Sequence, residues 1–214
     1  MIPKVIHQVW DGPMPPGIQE CLDSVKRVMP DYDVVVHGGA DMDELVPEQF
    51  SQVERTNLYR NRLLYSHGGW WVDADCYALR SLNSDKPYSF GTQERSAHYS
   101  PPLVVDWAFG SEAGNPDLTG VLRRLAPSRL HRRSSLGRST AMLSLGQHMA
   151  KELGGGKLEP HHVYGSRRFS RRSPSKQTPR NATLVHLFLG SWYKAGWRNG
   201  VLSEVKEVQR WKLI

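Results

Sequence analysis

The 214-residue sequence is poor in cysteine and lacks any long apolar run, and each absence excludes a class of protein. Its two cysteines, Cys21 and Cys76, are too few for a disulfide framework or a cysteine-based zinc site, which favours a reducing compartment. No stretch of about 18 apolar residues occurs, so no membrane-spanning helix is predicted. The N-terminus also lacks the apolar core of a secretory signal. We therefore expect a cytoplasmic protein.

Basic residues are concentrated in one stretch of the chain, although the net charge of the whole sequence is only +7. Residues 123–176 contain 13 Lys and Arg against two Asp and Glu, whereas residues 1–122 contain nine against 17. Clustered cations of this kind bind polyanions, anionic membrane surfaces or phosphate-rich substrates. No helix-turn-helix, zinc-finger or RNP-type pattern accompanies the charge, which disfavours nucleic acid as the partner.

Short apolar runs alternate with amphipathic segments through the first third of the sequence. Apolar periodicity and turn residues predict strands over residues 5–10, 32–37 and 70–72, and helices over residues 18–29 and 47–67. Weaker patterns predict a strand over 103–109, helices over 115–126 and 139–153, and an apolar segment over 184–188. This alternation is typical of an α/β sheet, in which ligands bind at the carboxyl ends of the strands. We predict one domain over residues 1–214, with a basic, loop-rich insertion over about 123–180.

Two carboxylates, Asp73 and Asp75, directly follow the predicted strand at 70–72. At a strand end the chain can turn and let both side chains converge. Two hard oxygen ligands with open positions suit Mg²⁺ or Mn²⁺ carrying a diphosphate, whose charge the metal would neutralise in a group transfer. An acidic turn without a metal is the simpler alternative. Metal-dependent phosphoester hydrolysis is another, although no further acidic cluster accompanies the pair.

Four stretches follow one another along the sequence: the opening IPKVIHQVW at 2–10, PDY at 30–32, the block from Thr56 through the Gly68-Gly69 pair to Asp75, and the segment 186–192 with a late His and Ser-Trp. Together they resemble glycosyltransferase family 32, the group with a sugar-binding Asp-x-Asp region that includes α-1,6-mannosyltransferases and capsular polysaccharide enzymes. The resemblance implies a GT-A fold, that is, a Rossmann-like mixed sheet flanked by helices. It also implies a UDP- or GDP-sugar donor, Mn²⁺ or Mg²⁺, and transfer with retention at the anomeric carbon.

The resemblance also assigns roles to individual residues. The metal ligands would be Asp75, Asp73 and His186, although a lone His among apolar neighbours is also typical of a core position. Glu94 would contact the acceptor as a catalytic group. The donor-binding residues would be His7, Gln8, Trp10, Asn57, Arg60, Trp71, Ser191 and Trp192. Asn57 departs from the family pattern, which usually has Asp at this position, and this substitution bears on the identity of the donor.

The sequence therefore predicts a metal-dependent retaining glycosyltransferase that acts through Asp73 and Asp75 on a glycan, lipid-linked or protein acceptor. Front-face attack, with the donor diphosphate assisting deprotonation of the acceptor hydroxyl, is the expected mechanism, because no nucleophile is evident. The alternative is a nucleic-acid or polyanion-binding protein that uses residues 123–176. The same basic stretch predicts peripheral contact with the anionic inner face of a membrane.

Overall fold

The computed structural model describes residues 1–45, 52–83, 88–93, 103–116, 118–119, 122, 160–165 and 183–186. The strands are β1 (Val5–Val9), β2 (Asp33–His37), β3 (Gly69–Val72), β4 (Cys76–Ala78), β5 (Tyr88–Gln93), β6 (Leu103–Ser111), β7 (Pro160–Gly165) and β8 (Leu184–His186). The helices are α1 (Pro16–Val28), α2 (Gly39–Leu45) and α3 (Gln52–His67). In this part of the chain, no helix combines the length and apolar character that crossing a membrane requires.

The eight strands form one mixed sheet in the order β2-β1-β3-β6-β5-β7-β8-β4. β1 pairs in parallel with both β2 and β3, while β6 runs antiparallel to β3 and β5. β7 joins β5 and β8 in parallel, and β4 closes the sheet antiparallel to β8. This arrangement confirms the expected mixed α/β sheet and brings the late strand β8 beside β4.

Alternate residues of β3 face opposite sides of the sheet, because successive side chains in a strand point in opposite directions. Trp70 and Val72 belong to a buried apolar cluster that includes Val25 of α1. Trp71 faces the other side, where the guanidinium of Arg60 in α3 lies 5.5 Å from its ring centroid. The sheet is therefore flanked by α1 on one face and α3 on the other.

The glycine pair Gly68-Gly69 ends α3 and begins β3. The N–H of Gly68 donates to the carbonyl of Leu64 at 2.9 Å, and both glycines have positive φ, +69° and +100°. A Cβ on Gly68 would lie 2.7 Å from the backbone N of Ala113, so the position also requires a close backbone approach. The helix-ending signal predicted at this pair is confirmed.

Some elements differ from the prediction. α2 begins at Gly39, where the sequence pattern indicated only the end of a strand, and α3 is described from Gln52 onward. The short strands β4, β5 and β7 were not predicted, because three to six residues carry little periodicity. The predicted helix at 139–153, and most of the basic stretch 123–176, lie outside the described residues.

Candidate active site

The Asp73–Asp75 turn connects β3 to β4 and is anchored by backbone hydrogen bonds. The N–H of Asp73 donates to the carbonyl of Trp107 at 2.9 Å, and the N–H of Cys76 donates to the carbonyl of Asp73 at 3.0 Å. Ala74 between the two carboxylates is buried, whereas both aspartates are partly exposed. The turn therefore presents two carboxylates at the carboxyl end of a buried strand, as the sequence predicts.

His186 lies beside both aspartates. Antiparallel pairing of β8 with β4 places it there, and its Nε2 is 3.0 Å from Asp75 Oδ1 and 3.8 Å from Asp73 Oδ2. The imidazole lies against the ring of Trp107, with centroids 4.2 Å apart, and is almost fully buried. The structure thus brings together the three residues expected to hold a metal, two of which are 111 residues apart.

Asp73 is oriented by two groups on the α3 face of the sheet. The indole N–H of Trp71 donates to Asp73 Oδ1 at 2.6 Å, and Nη1 of Arg60 is 3.7 Å from the same oxygen. Burial raises the pKa of Asp73, although Arg60 and His186 oppose the shift by favouring the charged form. An added cation would oppose it further, so this partly exposed carboxylate is suited to a site that gains positive charge.

Asn57 and Arg60 lie one turn apart on α3 and contact each other. Asn57 is 8% exposed, and its side-chain oxygen accepts a hydrogen bond from Nη2 of Arg60. Its backbone carbonyl accepts from Nδ2 of Asn61 at 2.8 Å. Arg60 therefore connects two residues of the site. One is Asn57, at the position where the family pattern has Asp, and the other is Asp73 of the acidic pair. Because Asn57 is neutral, Asp73 does not share Arg60 with another carboxylate at this position.

Trp10 lies close to the acidic turn. It is partly exposed, and its indole N–H donates to the carbonyl of Pro13 at 3.3 Å. Its ring packs against a small cluster formed by Ile18, Leu22 and Ala74, the last of which separates the two aspartates. Part of the Trp10 ring is therefore exposed, and an exposed aromatic face is a surface on which a nucleotide base can stack.

His7 and Gln8, expected to contact the donor, are instead enclosed in β1. His7 is 5% exposed and Gln8 is completely buried. The ring nitrogens of His7 lie 3.1 Å from the carbonyl of Gly68 and 3.0 Å from Nε2 of His37. In this structure His7 supports the start of β3 from within the protein.

A chain of hydrogen bonds connects Tyr59, His37 and His7. The hydroxyl of Tyr59 is 2.9 Å from Nδ1 of His37, whose Nε2 contacts Nδ1 of His7. The Gly68 carbonyl can only accept, so His7 carries its proton on Nε2, His37 donates through Nε2, and Tyr59 donates to His37. Burial lowers the pKa of His7 to about 4, lowers that of His37, and raises that of Tyr59 to about 12. All three groups are therefore neutral near pH 7.

Three residues near the candidate site were not identified from the sequence: His37, Tyr59 and Cys76. No spacing motif connects the first two, which meet because β2 lies beside β1 in the sheet and α3 packs against one face of that sheet. Cys76 could have been found, since it directly follows Asp75. Burial raises the pKa of its thiol well above the ordinary value. Three other sequence candidates, Glu94, Ser191 and Trp192, lie outside the described residues.

The donor atoms around the acidic pair fit a divalent cation such as Mn²⁺. Asp73 and Asp75 supply carboxylate oxygens and His186 supplies an imidazole nitrogen, a combination that hard to borderline cations accept. Asp75 and His186 are already in contact, so two ligands from distant parts of the chain converge without a large rearrangement. The residues present are therefore compatible with the metal that the family resemblance implies.

Comparison with known proteins places this geometry in a glycosyltransferase fold. A glycosyltransferase involved in glycosylation of the major capsid of PBCV-1 superposes with a TM-score of 0.56, at 10% identity, over 94% of this chain and 98% of that one. The PaToxG glycosyltransferase superposes with a TM-score of 0.55, at 17% identity, over 72% and 71%. The chain therefore has the mixed α/β fold of GT-A glycosyltransferases, as predicted.

One curated relative is similar in sequence. Inositol phosphoceramide mannosyltransferase 3 of Schizosaccharomyces pombe is 28% identical over 140 residues, which cover 58% of this chain. The similarity spans only 37% of that protein's length. No family model matches the chain.

Proposed function

We propose that this protein is a glycosyltransferase that moves a sugar from a nucleotide-diphosphate sugar to an acceptor hydroxyl. The transfer retains the configuration at the anomeric carbon and requires a divalent cation, with Mn²⁺ preferred over Mg²⁺. The observation that carries the proposal is the contact of Asp75 with His186 at 3.0 Å, beside Asp73 at the carboxyl end of β3. The fold and the sequence relative support the class of enzyme.

Asp75 and His186 hold the cation in this proposal, and Asp73 completes the set while also binding the sugar and ribose hydroxyls. When bound, the cation neutralises charge on the leaving diphosphate. Arg60 and Trp71 keep Asp73 in position through the contacts at 3.7 and 2.6 Å, so the carboxylate is oriented before the donor arrives.

Trp10 and Asn57 contact different parts of the donor in this proposal. Trp10 offers a partly exposed ring for the base, and Asn57 offers an amide to the sugar hydroxyls. Because an amide both donates and accepts, Asn57 can bind a hydroxyl without adding charge next to Arg60. Ser191 and Trp192 would approach the diphosphate from the C-terminal side, and Glu94 would contact the acceptor.

Retention follows from front-face attack in this scheme. Both carboxylates of the turn already contact cationic or hydrogen-bonding groups, which suits them to binding rather than to forming a glycosyl ester. The donor diphosphate receives the proton of the acceptor hydroxyl as the new glycosidic bond forms and the sugar–phosphate bond breaks. The protein then contributes orientation and electrostatic stabilisation.

Nucleotide release from a panel of UDP- and GDP-sugars, with Mn²⁺ or with EDTA, tests the proposal. The name of the fission-yeast relative puts GDP-mannose first in the panel and inositol-containing sphingolipids first among the acceptors. We expect slow hydrolysis of one donor in Mn²⁺, abolished by EDTA and by Asp75→Asn. Asp33→Asn is the matched control, because Asp33 is an exposed carboxylate on β2.

Absence of both nucleotide release and metal-dependent nucleotide binding would overturn the proposal. The polyanion-binding alternative, favoured by the 13 Lys and Arg of residues 123–176, would then come first. It predicts tight binding to a nucleic acid that weakens steeply with salt and persists in Asp73→Asn and Asp75→Asn.

A further inference from the structure

A cysteine lies beside the proposed metal ligands. Cys76 and His186 are directly opposite each other in the antiparallel pairing of β4 with β8. Opposite residues of such a pair project to the same face, with Cβ atoms about 5 Å apart. Asp75, next to Cys76 in the chain, contacts the imidazole of His186 at 3.0 Å. A carboxylate oxygen, a thiol sulfur and an imidazole nitrogen consequently lie within 4.8 Å of one another.

Asp75 and His186 belong to two overlapping sets of ligands. Adding Asp73, whose Oδ2 is 3.8 Å from the imidazole, gives an oxygen-rich set suited to Mn²⁺ or Mg²⁺. Adding Cys76 instead gives a mixed sulfur, nitrogen and oxygen set, which suits Zn²⁺, Co²⁺ or Cd²⁺. The two sets share two residues, so one cation would exclude the other.

We propose that Asp75, Cys76 and His186 form a second cation site, selective for thiophilic divalent cations such as Zn²⁺, that competes with Mn²⁺ for Asp75 and His186. The competition rests on the proposed function, whereas binding of the thiophilic cation does not. Ligation replaces the S–H bond of Cys76 with a sulfur–metal bond, and the proton passes to solvent.

The consequence is inhibition of sugar transfer by thiophilic cations. A cation held by Cys76 also occupies Asp75 and His186, so these two residues cannot complete the oxygen-rich set with Asp73 while that cation is bound. Zn²⁺ or Cd²⁺ therefore inhibits the wild-type protein even when Mn²⁺ is in excess, and Cys76→Ser weakens this inhibition.

Titration of the full-length, metal-stripped protein with Co²⁺ provides a readout that does not depend on activity. Coordination by Cys76 produces a thiolate-to-Co²⁺ charge-transfer band in the near ultraviolet. Cys21→Ser is the matched control, because Cys21 is equally buried, and burial followed by the charge of Asp75 raises the pKa of its thiol. We expect the band in wild type and in Cys21→Ser, and its loss in Cys76→Ser, with Cd²⁺ binding weakened at least about tenfold.

Absence of the band in wild type, or its persistence in Cys76→Ser, overturns the proposal. His186→Gln is a second variant that removes a ligand without touching the cysteine, and it must also lose the band; circular dichroism establishes that each variant folds. Wild-type nucleotide release with Mn²⁺ but no Co²⁺ band would refute the thiophilic site alone. A Co²⁺ band in a protein that shows neither nucleotide release from any donor nor metal-dependent nucleotide binding would refute the proposed function alone.

Discussion

At the scale of single residues, Arg60 connects the most parts of the candidate site. Its guanidinium contacts Asn57 on its own helix, lies over the ring of Trp71 and approaches Asp73. It is 6% exposed, so these contacts form in a poorly solvated region. Arg60 therefore positions the acidic turn and also compensates its charge.

Replacing Arg60 with Met is expected to lower nucleotide release about 10- to 100-fold and to destabilise the fold by about 1–3 kcal/mol. The reason is that Asp73 loses its nearest cation on α3 and its pKa rises further. Urea unfolding and the nucleotide-release assay measure the two effects. Arg62→Met on the same helix is the control, since Arg62 is partly exposed, and equal behaviour of the two variants would contradict the assigned role.

Because His7 is buried and binds a proton weakly in the folded protein, we expect the free energy of unfolding to decrease in mildly acidic solution. Its pKa of about 4 in the folded protein lies below the ordinary value of about 6.5, so the unfolded chain binds the proton first. The free energy of unfolding should therefore be highest above pH 6.5 and fall by up to about 3 kcal/mol as pH decreases to 4. Urea titrations between pH 7 and pH 4 measure it, with His7→Asn expected to flatten the profile. An unchanged wild-type stability across this range would refute the argument.

At the scale of secondary-structure elements, the local pattern of apolar residues determines which helices and strands the sequence could predict. β1, α1, β2 and β3 were predicted close to their observed bounds, because each is an apolar run or an amphipathic segment between turn residues. α2 was not predicted, since its sequence GADMDEL carries charge without a clear apolar face. β4 was not predicted either, because its three residues owe their strand geometry to pairing with β8.

The candidate site was predictable to the extent that it is local in sequence. The Asp73–Asp75 turn follows directly from its position after an apolar strand. The late His186 was identified through family resemblance, and its contact with Asp75 depends on a strand pairing that no local pattern contains. The link between Tyr59 and His37 was unpredictable for the same reason, because it depends on how α3 packs against the sheet.

The junction of α3 with β3 allows a controlled test of close packing. Gly68 and Gly114 have nearly identical φ, +69° and +67°, but only a Cβ at Gly68 would meet a neighbour, the backbone N of Ala113 at 2.7 Å. We expect Gly114→Ala to cost about 1 kcal/mol for its backbone conformation alone. Gly68→Ala should cost about 2–4 kcal/mol, because the steric conflict is added. If the two variants have equal free energies of unfolding in urea, the backbone around Ala113 moves away from the added methyl group at position 68 without an energetic cost.

At the scale of the whole molecule, charge is divided along the sequence between an acidic first part and a basic stretch at 123–176. The candidate site lies mainly in the acidic part, where the divalent cation of the proposed function would compensate the carboxylates. Contact of the basic stretch with an anionic membrane surface stays a prediction from the sequence. Binding of the acceptor or the membrane would then be separable from binding of the donor.

Neutralising Arg167, Arg168, Arg171 and Arg172 with Gln tests this separation. We expect weaker binding to vesicles containing anionic lipid, by about 1 kcal/mol per residue removed, because each cation near the surface contributes attraction of that size. Vesicle co-sedimentation measures it. The control removes the same charge elsewhere by neutralising Arg198, Lys206, Arg210 and Lys212. If both quadruple variants bind equally, net charge rather than the basic stretch determines the association.

The pairing of β8 with β4 has a consequence for how the protein is made. Asp75 is synthesised 111 residues before His186, the residue that its carboxylate contacts. A nascent chain on the ribosome displays the acidic turn long before the imidazole emerges from the exit tunnel. Ribosome-bound fragments that end before β8 therefore lack half of the Asp75–His186 contact, and the proposed cation site cannot be complete until β8 has paired with β4.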